Sequence, residues 1–422
     1  MTPTKGASRI VMKNTKSLSL LVFAVALLST GCTVSEVITA ESTDLDIASL
    51  DISENMLLDV GIMNFDAGVP AKNNSEKTGI YPEVRMAEAR YIPYHMKKTL
   101  QGTGYWGAVR VIPNRYVFTD VTVTGRIERS DGEYVALVVT VEDSLGAEWY
   151  EKQYSMQTGL TSFAEYRDRS NDPYQKVFND IANDLHSYAS GLEPKEVSRL
   201  RQASELKFFA DMAPDAFSDY LVEDDGRTTV VRLPAESDPM AIRLRQIRER
   251  DRLVIDTLNE HYANFYYGIA LPYEGWRKRG REQAIAVRQT KRSAALKALL
   301  GAVVVAGSMQ IDPGYGDGYS RAKHATQMVG IQRGMRTIYD AWNMRRDIQG
   351  HREDIKELSE SFVAEAAPLV IQVEGESRRL TGTAEAQYES WRKLLHEIYQ
   401  VETGFSEDVE LSAPARTAEP AG

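Results

Sequence analysis

Cysteine is almost missing from this chain: Cys32 is the only one in 422 residues. An internal disulfide framework is therefore excluded, and stability has to come from packing. Long apolar runs are missing too. After Cys32 no stretch reaches 18 apolar residues, so a conventional membrane-spanning helix is not expected. A basic excess is also absent. Four of the 50 Lys and Arg precede Cys32, and the 46 that follow face 60 acids, a formal net of −14. That balance argues against generic nucleic-acid binding, which needs a basic surface.

Signatures of catalysis are equally sparse. The histidines are His95, His186, His261, His324, His351 and His396, and none stands in H-E-x-x-H or another metal-ligand spacing. There is no G-x-S-x-G. The run Asp312 to Tyr319 lacks the lysine and serine of a phosphate-binding loop and the oxygen spread of a calcium loop, and it reads as a turn-rich loop. With 60 acids a glycosidase-like carboxylate pair stays open, but no two of them stand out. No enzyme activity, cofactor or metal site is expected.

What is present begins with an export pattern. Lys5, Arg9, Lys13 and Lys16 precede an 11-residue apolar stretch, Leu18 to Leu28, and then Ser29-Thr30-Gly31-Cys32. A basic start, a short apolar core and small residues describe a cleaved signal, since the core falls well short of the roughly 20 residues a span needs. The arrangement resembles a bacterial lipoprotein signal. Gly31 and Thr30 fit the small positions, while Ser29 stands where leucine is usual. The resemblance implies that Cys32 becomes the first residue of the mature chain and carries lipid, with several acyl chains giving a stable anchor. Thr33 after the cysteine, where inner-membrane retention usually uses Asp, implies the periplasmic face of the cell outer membrane.

The expected organisation is a signal peptide over 1–31, a polar acidic tether over 32–54, an α+β domain over 55–192, a mainly helical domain over 193–406, and a disordered tail over 407–422 rich in Ala, Glu and Pro. Within the α+β domain, Met56 to Met63 predicts a buried first strand. Helical spacing runs from Tyr81 to Gln101, where Pro93 either bends the helix or, at lower cost, marks its start. Val109 and Val111 suggest a short strand. Alternation over Asp120–Glu128, Tyr134–Glu142 and Ala147–Met156, with turns at Ser130-Asp131-Gly132-Glu133 and Asp143-Ser144-Leu145-Gly146, predicts an antiparallel meander with one buried face. A helix over Pro173–Tyr188 places Val177, Ile181, Leu185 and Tyr188 towards it. The fold class is α+β: a two-layer sandwich followed by helices.

This order, with VGIMNFDAG at Val60–Gly68, TGRIER at Thr124–Arg129 and VTVEDSLGAEWYEKQY at Val139–Tyr154, resembles a periplasmic domain of outer-membrane lipoproteins. The curli export lipoprotein and the activators of peptidoglycan synthases carry it. The resemblance covers Met56 to about Tyr188, and the chain departs from those small activators by some 200 further residues. It implies protein binding and assembly rather than catalysis, with Gly125, Asp143 and Gly146 in turn and close-approach roles.

The remainder predicts helices at Glu196–Met212, stopped by Pro214, and at Ala235–Leu271, with Ile242, Ile247, Leu253, Val254, Leu258 and Tyr262 on the packing side. A strand is expected at Thr228–Leu233. The aromatic cluster Tyr262–Gly268 suits a buried helix junction, a carbohydrate platform being the sharper alternative. Trp276–Lys297 is rich in Lys and Arg against a single Glu282, and Ala298–Ile311 is uncharged and small-residue rich. The latter is expected to be a buried helix; subunit packing or membrane contact are the alternatives. Further helices are expected at Ala322–Asp347, Asp354–Ala366 and Leu380–Tyr399, with a short strand at Leu369–Val373. Together these features predict a lipid-anchored scaffold that binds other envelope proteins, with self-oligomerisation as a further option, and no nucleic acid. A subunit of an oligomeric export channel and a cell-wall hydrolase are the alternatives.

Overall fold

A computed structural model of the chain describes residues 42–71, 80–163, 172–308, 349–357, 360, 369–373 and 376–403, the side chains of 160–161, 287, 289–308, 372–373, 376 and 402–403 excepted. Its centre is a five-stranded mixed sheet of β1 (Val60–Met63), β2 (Val109–Ile112), β3 (Val121–Ser130), β4 (Tyr134–Asp143) and β5 (Glu148–Gln157), in the order β2-β1-β3-β4-β5. β1 is parallel to both β2 and β3, and β3-β4-β5 is the antiparallel meander. Period-two alternation puts Val121, Val123 and Ile127 beside Val135, Leu137, Val139 and Val141 on one fully buried face. Thr122, Thr124, Arg126 and Glu128 take the other face, half-buried or exposed. At Gly125 a Cβ would stand 2.5 Å from the Phe65 ring, so the glycine makes room for that aromatic side chain.

Two helices cover the buried face. α1 (Pro82–Thr103) starts at Pro82 and runs through Pro93, where the sequence favoured a start at Pro93. Proline inside a helix removes one intrahelical hydrogen bond. Here the carbonyl that Pro93 leaves free, that of Ala89, accepts instead from the Phe65 N–H at 2.9 Å. The orphaned acceptor thus ties the exit of β1 to α1, and Tyr91, Ile92, Met96 and Leu100 bury around the proline. α2 (Gln175–Ala189) presents Val177, Phe178, Ile181, Ala182 and Leu185 to the core. Tyr188, expected in that row, is 40% exposed and stacks on Trp149 at 4.6 Å.

Part of the expected tether lies on this layer. Asn179 Nδ2 donates to Thr43 O at 2.7 Å, Asn183 Nδ2 to Asp44 O at 2.9 Å, and the Asp46 N–H to Asn183 Oδ1 at 3.0 Å. Two side-chain amides on α2 therefore hold the main chain of 43–46 as a strand partner would.

α3 (Pro194–Met212) opens with a capping box of Glu193 and Glu196. Pro214, expected only to end it, also begins the short α4 (Pro214–Phe217). The strand at β7 (Arg227–Val230) is shorter than expected and pairs with β6 (Leu221–Asp224), which the sequence reading missed. α5 (Pro239–Ser308) is a single helix of 70 residues, about 105 Å long at 1.5 Å per residue. Neither Gly268 nor Pro272 ends it, whereas the sequence suggested a stop near Leu271. The hairpin β8 (Leu369–Val373) and β9 (Glu376–Leu380) precedes α6 (Ala384–Thr403). The helices of Ala322–Asp347 and the loop at Asp312–Tyr319 fall outside the described residues.

The architecture is thus α+β, a mixed sheet region followed by a mainly helical one. One hydrophobic core crosses the 192/193 boundary: Val60, Ile92, Val139 and Leu185 belong to the same cluster as Phe209, Ile247, Tyr262, Trp276 and Trp391.

Candidate functional site

α5 lies along α1, β2, α3 and α6, and polar side chains specify how it docks. They recur every three or four residues along one face of the helix, the spacing that aligns side chains in a row. Arg248 donates to Phe118 O at 3.1 Å, Arg252 to Asp59 at 3.1 Å, and Asp256 takes Arg110 in a two-bond fork at 2.6 and 2.9 Å. Asn259 then meets the open edge of β2. Its Oδ1 accepts from the Val111 N–H and its Nδ2 donates to Val111 O, both at 2.9 Å. One side-chain amide thereby closes an edge that a neighbouring strand would otherwise pair.

Further along, the contacts become buried and charged. Tyr266 OH pairs with His95 Nδ1 at 2.7 Å, and His95 Nε2 with Gln175 at 2.8 Å. Tyr273 OH donates to Glu88 at 2.8 Å, and Ser130 Oγ donates to the same oxygen. Arg277 forms a two-bond fork with Asp172 at 2.8 and 3.0 Å, the two side chains being 2% and 3% exposed. Tyr91 OH also donates to Asp172. Backbones meet as well: a Cβ at Gly280 would sit 2.6 Å from Asp131 O, so the β3–β4 turn rests directly on the helix. Arg288 closes the row on Glu133.

Burial sets the charge states here. It pushes the Glu88 carboxyl up, against the opposing pull of Arg85, Ser130 and Tyr273. It would raise Asp172 too, but the Arg277 guanidinium and the Tyr174 N–H outweigh it and hold that carboxyl well below the usual range. Burial lowers His95, which favours the neutral imidazole. At the α5–α6 seam Asp251, 3% exposed, accepts from Trp391 Nε1 at 2.9 Å and Tyr388 OH at 3.3 Å, and burial pushes it up to about 6.

A cleft of about 430 Å³ opens beside this row, between the 3-10 turn Glu54–Met56, α3 and α5. Asp120 and Ser204 stand at its base: Ser204 Oγ donates to Asp120 Oδ1 at 2.5 Å, and the Asp59 N–H donates to Oδ2 at 2.9 Å. Arg248 donates to Ser204 Oγ at 3.1 Å. Arg201, Arg245 and Arg252 complete the walls. Sequence reasoning missed this cleft, because its residues come from four separate stretches of chain and match no motif.

Of the residues singled out in the sequence, Cys32 and His324 lie outside the described residues. The helical backbone reaches Ser308 across most of Ala298–Ile311, whose side chains are likewise not described. The aromatic cluster splits: Tyr262, Phe265 and Tyr266 are buried, Tyr262 beside Asn64 and Glu385 and Tyr266 against Tyr91 and His95 of α1, while Tyr267 is 59% exposed. The other histidines do not converge; His186 stacks on Tyr105 at 3.4 Å and His396 contacts Asp211 O at 3.2 Å. Among the described residues no group of His, Cys, Asp and Glu could hold a metal ion, and no helix is long and apolar enough to cross a membrane. Comparison with models of protein families, with curated proteins and with solved structures finds no match for this chain.

Proposed function

We propose that the protein is a lipid-anchored scaffold of the bacterial cell envelope. It is held through Cys32 at the periplasmic face of the outer membrane and offers a helical arm to other envelope proteins. The observation that carries the reading is where two stretches of the chain far apart in sequence meet. The His351 ring lies against Gly275, so near that a Cβ there would be 2.6 Å from the imidazole. Beside it Arg352 pairs with Glu83 and stands 3.9 Å over the Tyr81 ring. The 75 residues between, 276–350, therefore begin and end at one point. On the outgoing side α5 extends 20 residues past Arg288, about 30 Å of helix.

The row of bonds from Arg248 to Arg288 fixes the base of that arm. Polar contacts of this kind set orientation and register more than they add stability. Glu88, His95, Asp172 and Arg277 are spent in this seam at 5% exposure or less, which supports a structural role over a catalytic one. The test is native extraction in mild detergent, followed by sizing and mass spectrometry. Co-purification of defined envelope proteins, lost when 289–308 is replaced by a neutral helix of equal length, is the expected result. A large discrete ring of this chain alone would favour an export channel, and turnover of purified peptidoglycan would favour a hydrolase; either would overturn the scaffold.

A further inference from the structure

The cleft between α3 and α5 has more hydrogen-bond donors than the protein uses. Arg201 is fixed by one nitrogen, Nη1, which donates to Glu54 O at 2.5 Å and Leu57 O at 3.3 Å. Its Nε and Nη2 meet no acceptor among the described residues. Arg245 spends Nε on Glu205 at 2.9 Å and leaves both terminal nitrogens unused. Arg248 is 9% exposed and donates from Nη2 alone, to Phe118 O and Ser204 Oγ. Three guanidinium groups thus bring six unspent nitrogens to one cleft. They face the cleft rather than protein acceptors, so water or an entering anion can take them, and a charge-assisted hydrogen bond to an anion is the stronger of the two.

We infer that this cleft binds a phosphate group, held by Arg201, Arg245 and Arg248. Formal charge alone would not draw an anion there, because Asp59, Asp120, Glu205 and Glu249 match the four arginines in number. The acids are already engaged. Asp59 and Glu249 both accept from Arg252, Glu205 accepts from Arg245, and both Asp120 oxygens are occupied by Ser204 and the Asp59 N–H. Burial also pushes the Asp120 carboxyl up, which weakens its repulsion. The free donors are planar forks on Arg201 and Arg245 and single N–H groups on Arg248, together more than the roughly four lone-pair sites of one carboxylate accept. A phosphoryl group presents three oxygens and close to two charges. A cleft of about 430 Å³ also lies in the range of small-molecule sites, so the phosphate can be carried on a small organic body.

This inference stands apart from the scaffold reading and does not need the lipid on Cys32. The test titrates full-length protein in detergent with inorganic phosphate at constant ionic strength, read by calorimetry and thermal melting. Saturable binding with a rise in melting temperature is expected, absent with chloride. The double variant Arg201→Gln, Arg245→Gln loses the bonds to Glu54 O, Leu57 O and Glu205 and should melt somewhat lower without phosphate, and it should bind phosphate about ten-fold more weakly or worse, with no phosphate-induced rise in melting temperature. A parallel titration with dihexanoyl phosphatidic acid separates the sources. Tighter binding than inorganic phosphate in the wild type, lost in the variant, assigns a lipid headgroup; equal binding assigns a soluble phosphate. No saturable binding of either probe, or equal binding by wild type and variant, would overturn the inference.

Discussion

Replacing Asn259 tests the docking of α5 at its most specific bond pair. The amide spans both main-chain groups of Val111 at 2.9 Å, on a strand whose outer edge has α5 as its cover. Val111 is 0% exposed, so Asn259→Ala leaves a buried N–H and a buried C=O without partners. Each orphaned group costs about 1–3 kcal/mol, giving roughly 2–6 kcal/mol in all, less whatever an entering water restores. Asn259→Asp sharpens the test. At neutral pH its carboxylate still accepts from the Val111 N–H but faces Val111 O lone pair to lone pair. Only the protonated acid can donate to that carbonyl, so the folded state raises its pKa and the variant should recover stability as pH falls. Urea unfolding at several pH values measures both, and hydrogen exchange at the Val111 amide localises the effect. A loss under 0.5 kcal/mol for Asn259→Ala, the range of inconsequential surface changes, would refute the edge-closing role.

Asp251 gives a second pH signature. Its folded pKa of about 6 exceeds the unfolded 3.8, so the folded state holds the proton more tightly between those values. Wild type should therefore lose about 2 kcal/mol relative to Asp251→Asn as pH rises from 4 to 6.5, and a flat difference would remove the argument. Gly280→Leu should push the Asp131 turn off α5, costing about 1–3 kcal/mol and raising hydrogen exchange over 276–288; unchanged exchange would show that the close approach is dispensable. Val139→Asp puts an unpaired carboxylate at a fully buried position and should cost several kcal/mol, whereas Thr122→Asp on the half-buried face should cost far less. Equal losses of melting temperature would contradict the register of β3 and β4.

Strands β3, β4 and β5 were legible because alternation over ten residues has one solution: a single-residue slip would turn Val135, Leu137, Val139 and Val141 into solvent. Places where tertiary contacts overrule local preference were not. Pro93 argues for a helix start until the Phe65 N–H is seen to use the carbonyl it frees. Gly268 and Pro272 argue for a stop until α1 and the Asp131 turn are seen to grip α5 on both sides of them. On α5 the sequence put Ile242 and Leu253 on the packing side, but they are 42% and 67% exposed, while Arg248 and Asp251 are buried. Hydropathy cannot find a face that docks through bonded charges, because such residues read as solvated until their partners are placed. The cleft was invisible for a related reason: Asp120, Ser204 and Arg248 are far apart in sequence and meet only once α3 and α5 pack together.

The central claim, an arm that holds other envelope proteins, is tested most directly by a photoreactive amino acid at Val304 in living cells. Crosslinks are then identified in the isolated envelope by mass spectrometry. The account predicts discrete adducts with one or a few envelope proteins, obtained in fixed proportion and lost when Gly280→Leu loosens the base of the arm. Crosslinks confined to this chain or to lipid would contradict it.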